Sequence, residues 1–503
     1  MRKQNGISKI INCKRILFPL IIFLFFLGIS IPEAFGFDYV LGTAKFTSPL
    51  PPQPAQWQSY IDPDTGIAIR RITDIHKDYP NMTASHGATI EYVRKTPLSS
   101  NGRWLVIATG SGTGSIPFKI IDLQTHTIKD APHISTSIYN RNGGQDAQPE
   151  YRWDYSGDHP NRIYYRYGWE FYYGEVDCPD GQEHTAQCNF LVHNFRNDTG
   201  IFGSDAQYIQ NVYLDTEGDS SGDSRYWAWE VSMSSTYSTP NARKWIIVYD
   251  NKINSIIGKL ENTTNQSVNF VDMAPDGSKV VVSWQYGTPN PVTVYNLDFS
   301  NPVKLCGDTA HSGWAYDLNG KLKWLQINSC GGDYLRAQNL ETYNTDYKPF
   351  HQCYLANSSN GYDWGGCSDA EYLGHHFQRT YGQLGWALLN VYASGPYWGN
   401  EQVMAVELKN SSENPRIWRI LNTYNSQGVN PPSSGGSTAP QASITKDGTK
   451  IYFSSNWRGT DNFEVYEATL PKNWWCDLNG SICPVVDAIA PNSPKNLHFT
   501  LIK

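Results

Sequence analysis

Seven consecutive residues, His375-His376-Phe377-Gln378-Arg379-Thr380-Tyr381, carry two imidazoles, a guanidinium and a phenol. An imidazole takes or gives a proton near neutral pH, a phenol can protonate a leaving oxygen, and a guanidinium neutralises a carboxylate. The set reads as acid–base chemistry on an anionic substrate, with His376 or His86 as base, Tyr381 as proton donor and Arg379 on the carboxylate. Neighbours in a strand point to opposite faces, so His375 and His376 cannot both face one site from a regular strand. His86, His311 and Gln441 stand far from this run in the chain, and only the fold can bring them to it.

The elements that must position these groups are short hairpins. Asn101-Gly102, Asp276-Gly277, Asn319-Gly320 and Asp447-Gly448 each directly precede a run of β-branched or aromatic residues. Such a turn tolerates positive φ and is the strongest short-range hairpin signal. Repetition at tens of residues, with little helical periodicity, predicts an all-β fold, a seven-bladed β-propeller. Units open near residues 85, 146, 210, 266, 309, 374 and 439. Long inter-blade loops fall at 139–148, 178–211, 343–372 and 427–438.

In a propeller the innermost strand of each blade precedes the first hairpin and begins at one mouth of the axial channel. Counting back from each turn puts Gln145, Asp146 and Gln148, then Asn269, His311, His375 and His376, and Gln441 at that mouth, with His86 for the first blade. Polar groups there either bind a ligand or hold ordered water. Asp215, Glu217, Asp219 and Asp223 alternate with glycines and serines, a density of acids that can wrap calcium, line the same mouth, or form a solvated turn. The run from Tyr164 to Tyr173 is the densest in aromatic residues. Its members pack between blades or, as Tyr167 and Trp169, offer a stacking platform for sugar rings.

The basic residues Arg2, Lys3, Lys9, Lys14 and Arg15 precede an apolar run from Ile16 to Ile31 and a small-x-small site at Ala34-Phe35-Gly36. Residues 1–36 therefore read as a secretory signal, and a membrane contact is expected only if it stays uncleaved. Residues 37–60 form a linker or outer wrap, 61–486 the propeller, and 487–503 resemble the start of a fibronectin type III domain. Removing the leader takes away five of 40 basic and one of 47 acidic residues, leaving a formal charge of −11. That charge argues against nucleic acid as a partner. Beyond Cys13, eight cysteines remain, and close spacing pairs Cys178 with Cys188, Cys353 with Cys367 and Cys476 with Cys483, leaving Cys306 for Cys330. Metal binding by cysteine is the weaker reading, because no Cys-x-x-Cys pairing occurs.

Asp62-Pro63-Asp64-Thr65-Gly66 followed by Ala68-Ile69-Arg70-Arg71-Ile72-Thr73-Asp74 resembles the outer-strand phrase of TolB-like propellers. The histidine and glutamine placement resembles that of the oligogalacturonate lyases and the propeller-type ulvan lyases, which cleave uronate chains by β-elimination. The resemblance implies a divalent metal, manganese or calcium, on His311, His375 or His376, and Gln441. The chain departs from that family after Pro440-Gln441-Ala442-Ser443, where no histidine follows. Ser85-His86-Gly87 lacks the strand-to-helix context that a nucleophile elbow needs, which argues against a peptidase. A glycoside hydrolase using Glu150 and the acids of 215–223 stays open. The expected function is a secreted propeller binding carbohydrate or a cell-envelope ligand at the channel mouth, non-catalytic or scaffold. The alternative is a uronate lyase.

Overall fold

The computed structural model describes residues 39–42, 46, 48–78, 87–109, 118–134, 150–214, 217–234, 242–263, 266–284, 292–305, 312–326, 334–340, 347–351, 375–377, 380–391, 399, 401–408, 416–425, 440–458 and 463–480. The leader, the 487–503 tail, and Cys306, Cys330, Cys353, Cys367 and Cys483 lie outside them.

Seven antiparallel sheets follow one another along the chain, a seven-bladed β-propeller. Their inner strands are Ala88–Thr89, Arg152–Trp153, Asn211–Tyr213, Val268–Met273, Gly313–Tyr316, His375–Phe377 and Ser443–Ile444, for blades 1 to 7. Each begins a few residues after an opening read from the sequence. We call the end where inner strands start the front, and the end bearing the first hairpins the back. Gly102, Gly277, Gly320 and Gly448 adopt φ of 72°, 69°, 73° and 71° at the back turns, as their sequence signal predicts. Blade 6 differs, because its left-handed residue is Gly385 rather than Gly382.

Blade 7 closes the ring with strands from both ends of the chain. Lys450–Ser455 and Glu464–Thr469 continue into Ala68–Arg71 and then Ser59–Ile61, so the phrase at Asp62–Gly66 is the turn between the two outermost strands. Residues further back run along blade 6: Gly42 N donates to Ile417 O at 2.9 Å and Arg419 N to Val40 O at 3.0 Å. A short helix, Trp474–Leu478, packs Trp474 against Trp418 and Trp386 and donates its indole N–H to Gly448 O.

The core is a set of slabs between blades. Alternation along blade 2 sends Tyr164 and Phe171 toward Trp227 and Trp229 of blade 3, and Tyr165 and Tyr172 toward the cluster around Trp104 of blade 1. The aromatic run is thus largely interblade packing. Tyr167 is 41% exposed, while Trp169 lies under the Arg196 guanidinium, 3.2 Å from its ring centroid. Cys178 and Cys188 are disulfide-bonded, and Cys476 is disulfide-bonded as well.

Candidate functional site

After its short inner strand, blade 1 continues along the axis as residues 90–97 until Leu98 bridges to Leu105. This stretch carries Arg94 and Lys95, which turn inward. The Arg94 guanidinium reaches Asp272 Oδ2 of blade 4 at 3.4 Å and Ser312 Oγ, just ahead of blade 5, at 3.4 Å. It also pairs with Glu217 of blade 3, and lies over the Phe270 ring at 4.3 Å. Burial works against its charge, but Glu217 and Asp272 outweigh that and hold the pKa above the usual arginine value. Asp272 accepts two more hydrogen bonds, from Trp314 Nε1 at 2.7 Å and from Asp219 N at 2.9 Å, so one carboxylate ties four blades together.

Arg152, on the inner strand of blade 2, donates from Nε to Gly218 O at 2.9 Å and stands 3.5 Å from Asp219 Oδ1. Gly218 is required there, since a Cβ would collide with Leu214 O and Val271 O. Lys95 Nζ lies 2.5 Å from Glu91 Oε1. Burial, then the charge of Arg152, pulls its ammonium down to about 8. Lys95 O accepts from Ser443 Oγ of blade 7.

Arg94, Lys95 and Arg152 thus meet four carboxylates: Glu91, Glu217, Asp219 and Asp272. These cations already have counter-ions, and the cluster keeps one excess negative charge. It acts as a lock across the axis, and it offers no spare positive charge to a substrate carboxylate. Behind it, exposed Lys446 of blade 7 places Nζ 2.7 Å from both Tyr155 O of blade 2 and Gly222 O of blade 3.

Several residues singled out in the sequence stand at the starts of inner strands. Asn269 lies in the inner strand of blade 4, half-buried, at a bulge between Val268 and Phe270. Gln441 precedes the inner strand of blade 7 by two residues, is 5% exposed and has φ of 47°. Glu150 occupies the equivalent place in blade 2 with φ of 48°, and accepts from Arg166 and from Leu214 N, each at 2.9 Å. His375 and His376 form the inner strand of blade 6, paired with Val391 and Asn390.

Tyr381 sits at the other end. It follows that strand on the back turn, its ring 6.0 Å from that of Tyr155. Glu217 and Asp219 are engaged by Arg94 and Arg152, and among the described residues no three His, Cys, Asp or Glu side chains gather as a metal site. His86, Gln145, Asp146, Gln148, Asp215, His311, Gln378 and Arg379 lie outside the described residues. Sequence reasoning missed Arg94, Lys95 and Arg152, because nothing local marks the cluster: the partners of Arg94 lie two to four blades away and those of Arg152 in the next blade.

No family model matches the sequence, and no curated protein does either. Solved structures do. An oligogalacturonate lyase from Vibrio parahaemolyticus superposes with a TM-score of 0.50 at 11% identity, covering 83% of this chain and 97% of its own. An oligogalacturonate lyase in complex with manganese gives 0.47 at 14% identity, over 84% of this chain and 98% of its own. A chain of the mitotic checkpoint complex gives 0.41 at 12%, over 86% and 99%. At these identities the likeness is one of fold.

Proposed function

We propose that the protein is an exported propeller that binds a carbohydrate at the front mouth of its channel, in a non-catalytic or scaffold role. The observation that carries this reading is the common position of Asn269, His375, His376 and Gln441 at, or just ahead of, the front of three inner strands. Polar residue types gathered at one end of the inner strands suit a hydroxyl-rich ligand.

The second reading is a uronate lyase acting by β-elimination. It is favoured by two adjacent histidines on one inner strand, in a fold shared with an oligogalacturonate lyase. His376 would take the proton α to the carboxylate, a carbon–carbon double bond would form as the bond to the leaving sugar breaks, and the leaving oxygen would gain a proton. Because the axial cations are already paired, Arg379 or a bound divalent metal is left to neutralise the carboxylate.

Incubating the chain from Phe37 onward with pectic, ulvan-type and alginate-type polyuronates tests both readings. Retarded migration in polyuronate-containing gels without ultraviolet-absorbing product supports binding. Growth of the unsaturated-uronate absorbance supports the lyase. Neither effect on any of the three would remove acidic glycans as the ligand class.

A further inference from the structure

Ion pairing accounts for nearly every arginine in the ring. Of those whose side chains are described, all but Arg196 and Arg419 are ion-paired to a carboxylate. Arg419 is buried, with the charges of Asp62 and Asp64 beside it. Arg196 is only half-buried, and Glu170 is the one carboxylate whose charge acts on it. Glu170 is itself engaged, accepting from the Tyr172 hydroxyl at 2.8 Å and from Asn194 Nδ2 at 2.9 Å.

Arg196 is nevertheless held in place. Its guanidinium lies on the Trp169 ring, 3.2 Å from the centroid, and its Nε donates to Ile209 O at 2.7 Å. Its backbone N–H donates to Asn194 Oδ1 at 3.0 Å. Neither Nη makes a hydrogen bond among the described residues, so four of the five guanidinium donors are unused. These anchors stand beside the channel mouth. Ile209 precedes the inner strand of blade 3, Asn211–Tyr213, by two residues. Trp169 belongs to the front turn Tyr167–Glu170 of blade 2, and Gly168 O of that turn accepts from Val212 N at 2.9 Å. Tyr167, in the same turn, is exposed.

We propose that Arg196 and Tyr167 form a subsite for an acidic sugar beside the mouth, the guanidinium taking two oxygens of a carboxylate or sulfate and the Tyr167 ring the apolar face of the sugar. The subsite rests on the reading of the mouth as a carbohydrate site, and adds a preference for charge that the paired axial cations cannot supply. A planar fork meets two such oxygens bidentately, and stacking on Trp169 with the Nε bond orients it before the ligand arrives.

Calorimetric titration of the chain from Phe37 onward with trigalacturonate, sulfated galactotriose and unmodified galactotriose tests the proposal. At least one acidic probe binds about 10-fold or more tighter than the neutral one, as hydrogen bonds between charged groups allow, and the tighter of the two names the anion. Arg196→Gln removes that preference. Arg196→Lys, which keeps the charge and loses the fork, cuts it several-fold. Tyr167→Ala weakens all three probes together. No acid preference in the parent chain, or one unchanged in both Arg196 variants, would overturn the subsite. The mouth reading fails by a different result, affinities for all three probes unaltered by Asn269→Ala and Gln441→Ala.

Discussion

Arg94 of blade 1 lies across the channel from Asp272 of blade 4, its Nη1 3.4 Å from Oδ2, with each side chain only 1% exposed. Propellers generally close through their last sheet, and this one adds a charged tie through the middle.

Arg94→Met leaves Asp272 and Glu217 facing the axis without their guanidinium. Removing one partner of a buried pair costs about 3–5 kcal/mol, because the stranded charge remains. Denaturant unfolding should show that loss, and Arg94→Met combined with Asp272→Asn should lose less than the two single changes added together.

Lys95 makes stability depend on alkaline pH. Its ammonium falls from 10.5 unfolded to about 8 in the fold, so the folded chain holds the proton less tightly than the unfolded one. The resulting cost is present in full below pH 8 and is relieved as pH rises from 8 toward 10.5, by about 3 kcal/mol over that window. Tm measured against pH should rise there relative to Lys95→Met, which lacks the titration.

Reduction of Cys178–Cys188, or Cys178→Ser, opens a loop between the two outer strands of blade 2 that reaches across to blade 1. Glu183 O of this loop accepts from His133 N at 2.9 Å, and Cys178 O from Lys129 Nζ at 3.2 Å. A loop of this size contributes about 3 kcal/mol in the chain-entropy model. Chemical denaturation of Cys178→Ser against the parent chain measures it, since reductant would also open the Cys476 disulfide.

If unsaturated uronate product forms, the two ends of blade 6 should behave differently. His376→Gln, on the inner strand, should lower the initial rate at least about 100-fold, the usual worth of a positioned base. Tyr381→Phe, on the back turn, should leave the rate within about two-fold, since that residue follows the inner strand and packs beside Tyr155. Initial rates of absorbance growth decide between these outcomes.

Much of the ring was legible because its signals are local. A turn such as Asn319-Gly320 carries its own φ requirement, and the strand after it carries its own alternation, so blade openings could be counted without contact information. Blade 6 was read less well: Tyr381-Gly382 looks like the turn, but Gly385 takes the left-handed φ, at 81°. The candidate site was legible only in part. Gln441 and His376 reach inner strands because position within a repeat fixes strand order. Arg94 meets residues 123, 178 and 218 positions away, and no periodicity encodes such pairings.

Blade 7 takes strands from residues 59–71 and from 443–469. A chain emerging from a ribosome or a translocation pore can therefore assemble six blades while the circle stays open, with interblade faces of blades 1 and 6 still wet. Contacts of such sequence separation form slowly, so the final step of maturation is one late, long-range pairing. Any factor that holds the early hairpin at Ser59–Arg71 apart would leave blade 7 with only its three C-terminal strands.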